Sequence, residues 1–95
     1  MRFMVIETFK EQSVRKIYAR LDERGRMMPD GLRYVDSWIQ ADFRCCFQLM
    51  ECDDAELFQQ WIAHWDDLME FEVIPVTASA QARKSAGPGA RAGFG

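Results

Sequence analysis

Residues 61–67 read WIAHWDD, which sets Trp61 and Trp65 four residues apart, with the only histidine, His64, beside the second and Asp66 and Asp67 behind it. Histidine titrates near neutrality and serves as an acid, a base or a metal ligand. His64 and Asp67, at i and i+3, share one flank of a helix. A second constellation is Tyr34, Asp36 and Trp38, a phenol, a carboxylate and an indole at two-residue spacing on one parity of a strand. A third is Arg44, Cys46, Gln48 and Met50, which mixes charge, sulfur and an amide at the same spacing. Turned toward a common space, the second and third sets would line a small-molecule cavity with a few polar anchors. Glu7 and Glu72 stand inside otherwise apolar runs. A buried one would have a raised pKa and become a base candidate, whereas an edge or interface charge is the plainer reading.

Each set has an ordinary structural explanation. On a helix, Leu57, Phe58, Trp61, Ile62, Trp65 and Leu68 form one broad apolar stripe, so the tryptophans belong to the core. His64 falls at the margin of that stripe, which makes it a boundary residue or a polar group at a pocket rim or dimer seam. Arg44 and Asp36 could instead form a cross-strand ion pair. Cys45 and Cys46 point to opposite faces of a strand, and Cys52 lies seven residues beyond Cys45, so no zinc set is formed and no metal is expected. Asp53 and Asp54 sit where a helix begins, a place for capping carboxylates. No GxSxG, GxGxxG, P-loop or HExxH occurs, so nucleotide and hydrolase chemistry has no anchor and no cofactor is called for.

The elements that must hold these groups follow from periodicity. RFMVIETF (2–9) is apolar on both parities and predicts a strand covered on both faces. Val14, Ile17, Tyr18 and Leu21 then recur at helical spacing across 10–24, with Ser13 as a cap and Gly25 as a stop. Pro29-Asp30-Gly31 is a turn, after which LRYVDSWIQ and FRCCFQLME read as a hairpin joined through Ala41-Asp42. Asp53 and Glu56 form a capping box for a helix running to about Leu68, and FEVIPV (71–76) is the last strand. In this hairpin, Phe43, Cys45, Phe47 and Leu49 form the uniform parity suited to the helix layer. Arg44, Cys46, Gln48 and Met50 are then the face turned outward.

Strand, helix, strand, strand, helix, strand is the order of an α+β, ferredoxin-like βαββαβ sandwich, an antiparallel four-stranded sheet of order 4-1-3-2 with two helices on one face. Pro75 suits an edge strand. Two helices cover one sheet face only, yet both parities of the outer strands are apolar, which predicts a homodimer through sheet faces. Residues 1–78 make one domain, and the low-complexity stretch 79–95 reads as a flexible tail. Arg83, Lys84 and Arg91 lie in that tail, leaving nine basic against fifteen acidic residues in the body, a charge of −6. Such a body is a poor polyanion binder, and FRCCFQLM lacks the glycine and basic character of an RNA-binding strand, so no nucleic-acid partner is expected. No run reaches a membrane span, and three cysteines form no disulfide framework, which together predict a cytoplasmic protein without a membrane partner.

ECDDAELFQQWIAHWDDLMEFEVIPV (51–76), with the opening MRFMV and the segment from Pro29 to Trp38, resembles a bacterial family of small uncharacterised proteins in the dimeric α/β barrel superfamily. The resemblance implies a protomer whose sheet packs on a second copy to close a barrel. It implies no particular activity; the wider superfamily spans cofactor-free monooxygenases, haem-degrading enzymes, lactone isomerases and ligand-binding regulatory domains. Ile39 departs from the pattern, because relatives often carry histidine after the tryptophan matching Trp38. Two functions follow as expectations. One is a barrel that binds a small apolar or aromatic molecule and transforms it, at most, in the manner of a cofactor-free monooxygenase. The other is a non-enzymatic dimerisation or regulatory ligand-sensing module with a packed, closed barrel.

Overall fold

The computed structural model describes residues 1–11 and 13–86. Its elements are β1 (Arg2–Phe9), α1 (Val14–Arg24), β2 (Arg33–Ile39), β3 (Cys45–Glu51), α2 (Leu57–Ile62), β4 (Met69–Val76) and α3 (Ser79–Ala86). The four strands form one antiparallel sheet of order β2-β3-β1-β4. Counted from the β4 edge this is 4-1-3-2, and Pro75 lies on that edge. The architecture is α+β and compatible with a ferredoxin-like fold to which a third helix has been added. That helix occupies part of the expected tail and buries no residue; the remainder of the tail, 87–95, lies outside the described residues.

Local chemistry explains where the elements begin and end. Gly25 closes α1 with φ 68°, its N–H donating to the Leu21 carbonyl at 2.8 Å, in a backbone region where a Cβ is disfavoured. Ser13 precedes α1 but does not cap it. Its buried hydroxyl shares its proton between the carbonyls of Lys10, at 2.7 Å, and Leu68, at 2.9 Å, tying the start of α1 to the approach of β4. The second helix is shorter than its apolar stripe predicts. Asp54, not Asp53, accepts from the Glu56 N–H, at 3.0 Å, and regular helix spans only Leu57–Ile62. Beyond it the chain winds on in tighter turns, with His64 bonded to Trp61, Trp65 to Ile62 and Leu68 to Trp65, each three residues back. These turns keep Trp61, Trp65 and Leu68 buried on one side although the helix has ended.

The core lies between the sheet and the α1–α2 layer and includes Phe3, Val5, Ile17, Leu32, Met50, Phe58, Trp61 and Trp65. Phe3 and Phe58 meet edge to face at 5.0 Å between ring centroids, and Trp61 meets Phe71 at 5.3 Å. Burying one indole stabilises the fold by about 4–6 kcal/mol before entropy is charged against it, at ~25 cal/mol per Å2 over ~150–250 Å2.

The register reverses the expected faces of β3. Phe3 pairs with Met50, Val5 with Gln48 and Glu7 with Cys46, so Cys46, Gln48 and Met50 turn toward the helices. Cys45, Phe47 and Leu49 turn to the open side. Mixed polarity suggests an outward parity, but Cys46 and Gln48 lie inside the helix-covered layer, where the Gln48 amide nitrogen bonds Glu7, and the uniform apolar parity is the one left outside. A second correction comes from β2. A bulge between Tyr34 and Asp36 leaves Val35 as the extra residue, so Tyr34 shares a face with Ser37 and Ile39, while Asp36 and Trp38 face the open side opposite Leu49 and Phe47. The three residues at two-residue spacing are therefore divided between two faces.

Candidate functional site

Glu7 stands at the centre of the sheet, between Cys46 on β3 and Phe71 on β4, with its side chain toward the helices. It is 5% exposed. Above it opens a cavity of about 240 Å3 whose walls include Phe9, Ile17, Leu21, Trp61, Trp65 and Met69. The polar groups of its lining are Glu7, Cys46, Gln48, Ser37, Tyr18 and Arg26. The amide nitrogen of Gln48 donates to Glu7 Oε1 at 2.7 Å. Burial pushes the Glu7 carboxyl up from 4.5 to about 7, against the opposing pull of the hydrogen bonds from Gln48 and Cys46 and the charge of Arg26. The same burial, with the neighbouring Glu7 carboxylate, pushes the Cys46 thiol up to about 12. Cys46 is thus a weak nucleophile, and the titrating group at neutral pH is the carboxyl.

The mouth of the cavity is organised by the connector after α1. The indole N–H groups of Trp61 and Trp65 both donate to the backbone carbonyl of Arg26, each at 3.1 Å. This shared acceptor is what the four-residue spacing of WIAHW achieves. The next residue, Met27, has φ 58°, a left-handed turn that non-glycine residues seldom adopt. With its backbone pinned, Arg26 lays its guanidinium over the Tyr34 ring at 3.8 Å, a cation–π stack, and the Tyr34 hydroxyl lies 2.6 Å from that of Ser37. Two aromatic N–H donors, one carbonyl and one stacked guanidinium therefore hold a connector against the site.

A buried carboxyl with a pKa near neutrality can take up or release a proton at physiological pH, and apolar walls of this kind exclude water from it. Among the described residues no group of three or more histidine, cysteine or acidic side chains could hold a metal ion. A family model described as a domain of unknown function, DUF3303, matches residues 1–90. The chain belongs to this family. No curated protein matches it.

Of the site residues expected from sequence, this DUF3303 chain brings Cys46 and Gln48 together at the cavity floor, with Tyr34 beside its mouth through Arg26 and Ser37. It does not bring Asp36, Trp38 or Arg44 there. Asp36 accepts from the N–H of Ser37 at 2.8 Å on the open side, and Trp38 is 53% exposed on that same face. Arg44 belongs to the hairpin loop, because β3 begins at Cys45. Its guanidinium pairs with Asp42 at 3.4 Å rather than with Asp36. The loop itself is set by Phe43, at φ 61°, and by the Arg44 N–H donating to Asp42 at 3.1 Å.

His64 is exposed beside a shallow groove on the outer side of the helix layer, with Lys16, Arg20 and Arg24, away from Glu7. Asp67, its expected partner, is held instead by a two-pronged contact from Arg20, both distances 2.8 Å, which keeps the Asp67 carboxyl down at about 2. Arg20 also donates to the His64 carbonyl at 2.8 Å and lies 5.6 Å from the Trp65 ring centroid. Glu7 and Arg26 were not among the expected pocket residues. The signal for Glu7 was a lone acid in an eight-residue apolar strand; for Arg26 there was none, since its position depends on where two distant indoles point.

Proposed function

We propose that this protein binds a small molecule in the cleft between sheet and helices, and that Glu7 exchanges a proton with it or hydrogen-bonds it there. The carrying observation is a carboxyl 5% exposed at the floor of a cavity of about 240 Å3. Burying an ionisable group costs folding free energy, and a domain of this size has little to spare, so a position of this kind fits a functional group better than a packing group. The volume lies below the roughly 300–1,000 Å3 of drug-sized sites, which points to a ligand of one or two rings.

The functional unit in this proposal is a homodimer in a cytoplasmic setting. Met4, Ile6, Trp38, Phe47, Leu49, Ile74 and Val76 form an apolar surface on the open face of the sheet, opposite the helix-covered core. Contiguous apolar surface of this extent favours a partner sheet, and packing two such faces would close the barrel. The three cysteines are free thiols, in keeping with a reducing compartment.

The test is a fragment library of small aromatic and alicyclic compounds read by melting temperature, with light scattering across a hundredfold dilution. The expected result is a saturable upward shift for a subset of compounds, lost when Ser37→Phe fills the cavity, and a mass of twice the protomer. A library that produces no saturable shift overturns the binding proposal; a protomer mass at all concentrations overturns the dimer.

A further inference from the structure

We infer that the cleft selects a neutral, ring-containing molecule bearing an N–H or O–H donor, which it receives between the Glu7 carboxylate and the side-chain carbonyl of Gln48. This deepens the binding proposal above and rests on it. The reasoning is an inventory of donors and acceptors at the cavity floor. Gln48 is 7% exposed, and its amide nitrogen is committed to Glu7 at 2.7 Å. Its carbonyl oxygen, Oε1, is buried and has no partner. The opposite amide orientation would set that oxygen against the carboxylate, two acceptors in contact, so ionised Glu7 selects the orientation seen.

Several donors around the cavity are already engaged. Both indole N–H groups are committed to the Arg26 carbonyl, and one of the Ser37 and Tyr34 hydroxyls donates to the other. Arg26 is stacked on Tyr34. The buried polar atom left without a partner here is an acceptor, Gln48 Oε1, so with apolar walls around it the cavity rewards a ligand donor and penalises a bare ether or ketone, which would leave that oxygen unpaired and place a lone pair near the carboxylate. Positive charge facing Glu7 is already supplied by Arg26, so the preferred donor is neutral rather than an ammonium. The charged or titratable groups around Glu7 are Cys46 from β3, Arg26 from the connector and Tyr18 from α1; among the described residues no second carboxylate lines the cavity.

The experiment compares 2-naphthol with its methyl ether, 2-methoxynaphthalene, by calorimetry and by amide chemical shifts, using the intact protein. The expected result at pH 8 is binding at least about tenfold tighter for the naphthol, a preference that shrinks below pH 6 as Glu7 gains a proton. It should also largely disappear in Gln48→Met, which keeps the side-chain length without the acceptor; a melting curve establishes that this variant folds. If the two probes bind equally, or the ether binds better, the donor inference is overturned while the cleft remains a binding site. If neither binds and no fragment does, both fail. A preference that survives in Gln48→Met and is flat with pH also overturns the inference, because the donor is then recognised elsewhere.

Discussion

Replacing Glu7 with glutamine should stabilise the protein at neutral and alkaline pH. The substitution keeps the shape of the side chain and an acceptor for the Gln48 amide, and removes the buried charge. In the folded chain the Glu7 carboxyl titrates at about 7 rather than 4.5, and a rise of that size, at about 1.4 kcal/mol for each pH unit, amounts to about 3 kcal/mol. The direction follows from the raised pKa. Protonated Glu7 favours the folded state; this contribution is complete below pH 4.5 and is lost as pH rises through 7. Glu7→Gln and the parent should therefore melt together near pH 4 and diverge to a difference of about 3 kcal/mol by pH 8. For a domain of this size that corresponds to roughly 10–20 °C in melting temperature. Urea unfolding followed by tryptophan fluorescence from pH 4 to 8 gives the difference directly, because the other carboxylates are common to both chains. Parallel stability curves across that range would refute the reasoning and show that water reaches Glu7. The same variant should lose pH-dependent ligand recognition, the cost in function that often accompanies a gain in stability.

Trp61→Phe and Trp65→Phe should each lower stability by about 1 kcal/mol in urea unfolding, since the Arg26 carbonyl keeps one indole donor, whereas the double variant should cost more than the sum because that carbonyl then loses both. Asp67→Asn should destabilise modestly at pH 7. The depressed pKa means that the stabilising contribution of Asp67 is present above 3.8 and disappears as pH falls through about 2, so parent and variant should converge in acid; a constant difference down to pH 2 would count against the Arg20 contact as its source. Phe47→Glu, at the centre of the open face, should shift the light-scattering mass to that of one protomer while leaving far-ultraviolet circular dichroism unchanged. An unchanged mass would place any interface elsewhere.

The order and number of strands were readable because each carries a short apolar run bounded by turn residues, and Gly25 and Pro29-Asp30-Gly31 marked real chain reversals. The apolar stripe through Trp61, Trp65 and Leu68 was legible as core, and the structure adds that it continues past the end of regular helix. The site was harder to read for two reasons. Polarity misled on β3: Gln48 and Cys46 are inside beside Glu7, which accepts the Gln48 amide N–H, and a pattern of single residues cannot show that this partner lies some forty positions away. Parity misled on β2, where one unpaired residue shifts the alternation and separates Tyr34 from Asp36 and Trp38. His64 drew attention as the sole histidine, but chemical rarity does not determine location, and its neighbours on α1 are Lys16, Arg20 and Arg24 with a single acid, Glu23.

The bulge at Val35 also bears on how this strand can change over evolutionary time. Tyr34, Ser37 and Ile39 face the cleft with Val35 in place; remove that one residue and the simple alternation 34, 37, 39 puts the same three side chains on the same face. A chain shortened by one residue here would keep every group on the side it now occupies, whereas the loss of Ser37 or Trp38 would exchange cleft and open-face residues beyond the break. The strand lies at the sheet edge, where such a change disturbs only one neighbour. Length variation in β2 is therefore compatible with an unaltered binding floor, and aligned sequences of this family should place a gap at Val35 more readily than at any later position of the strand.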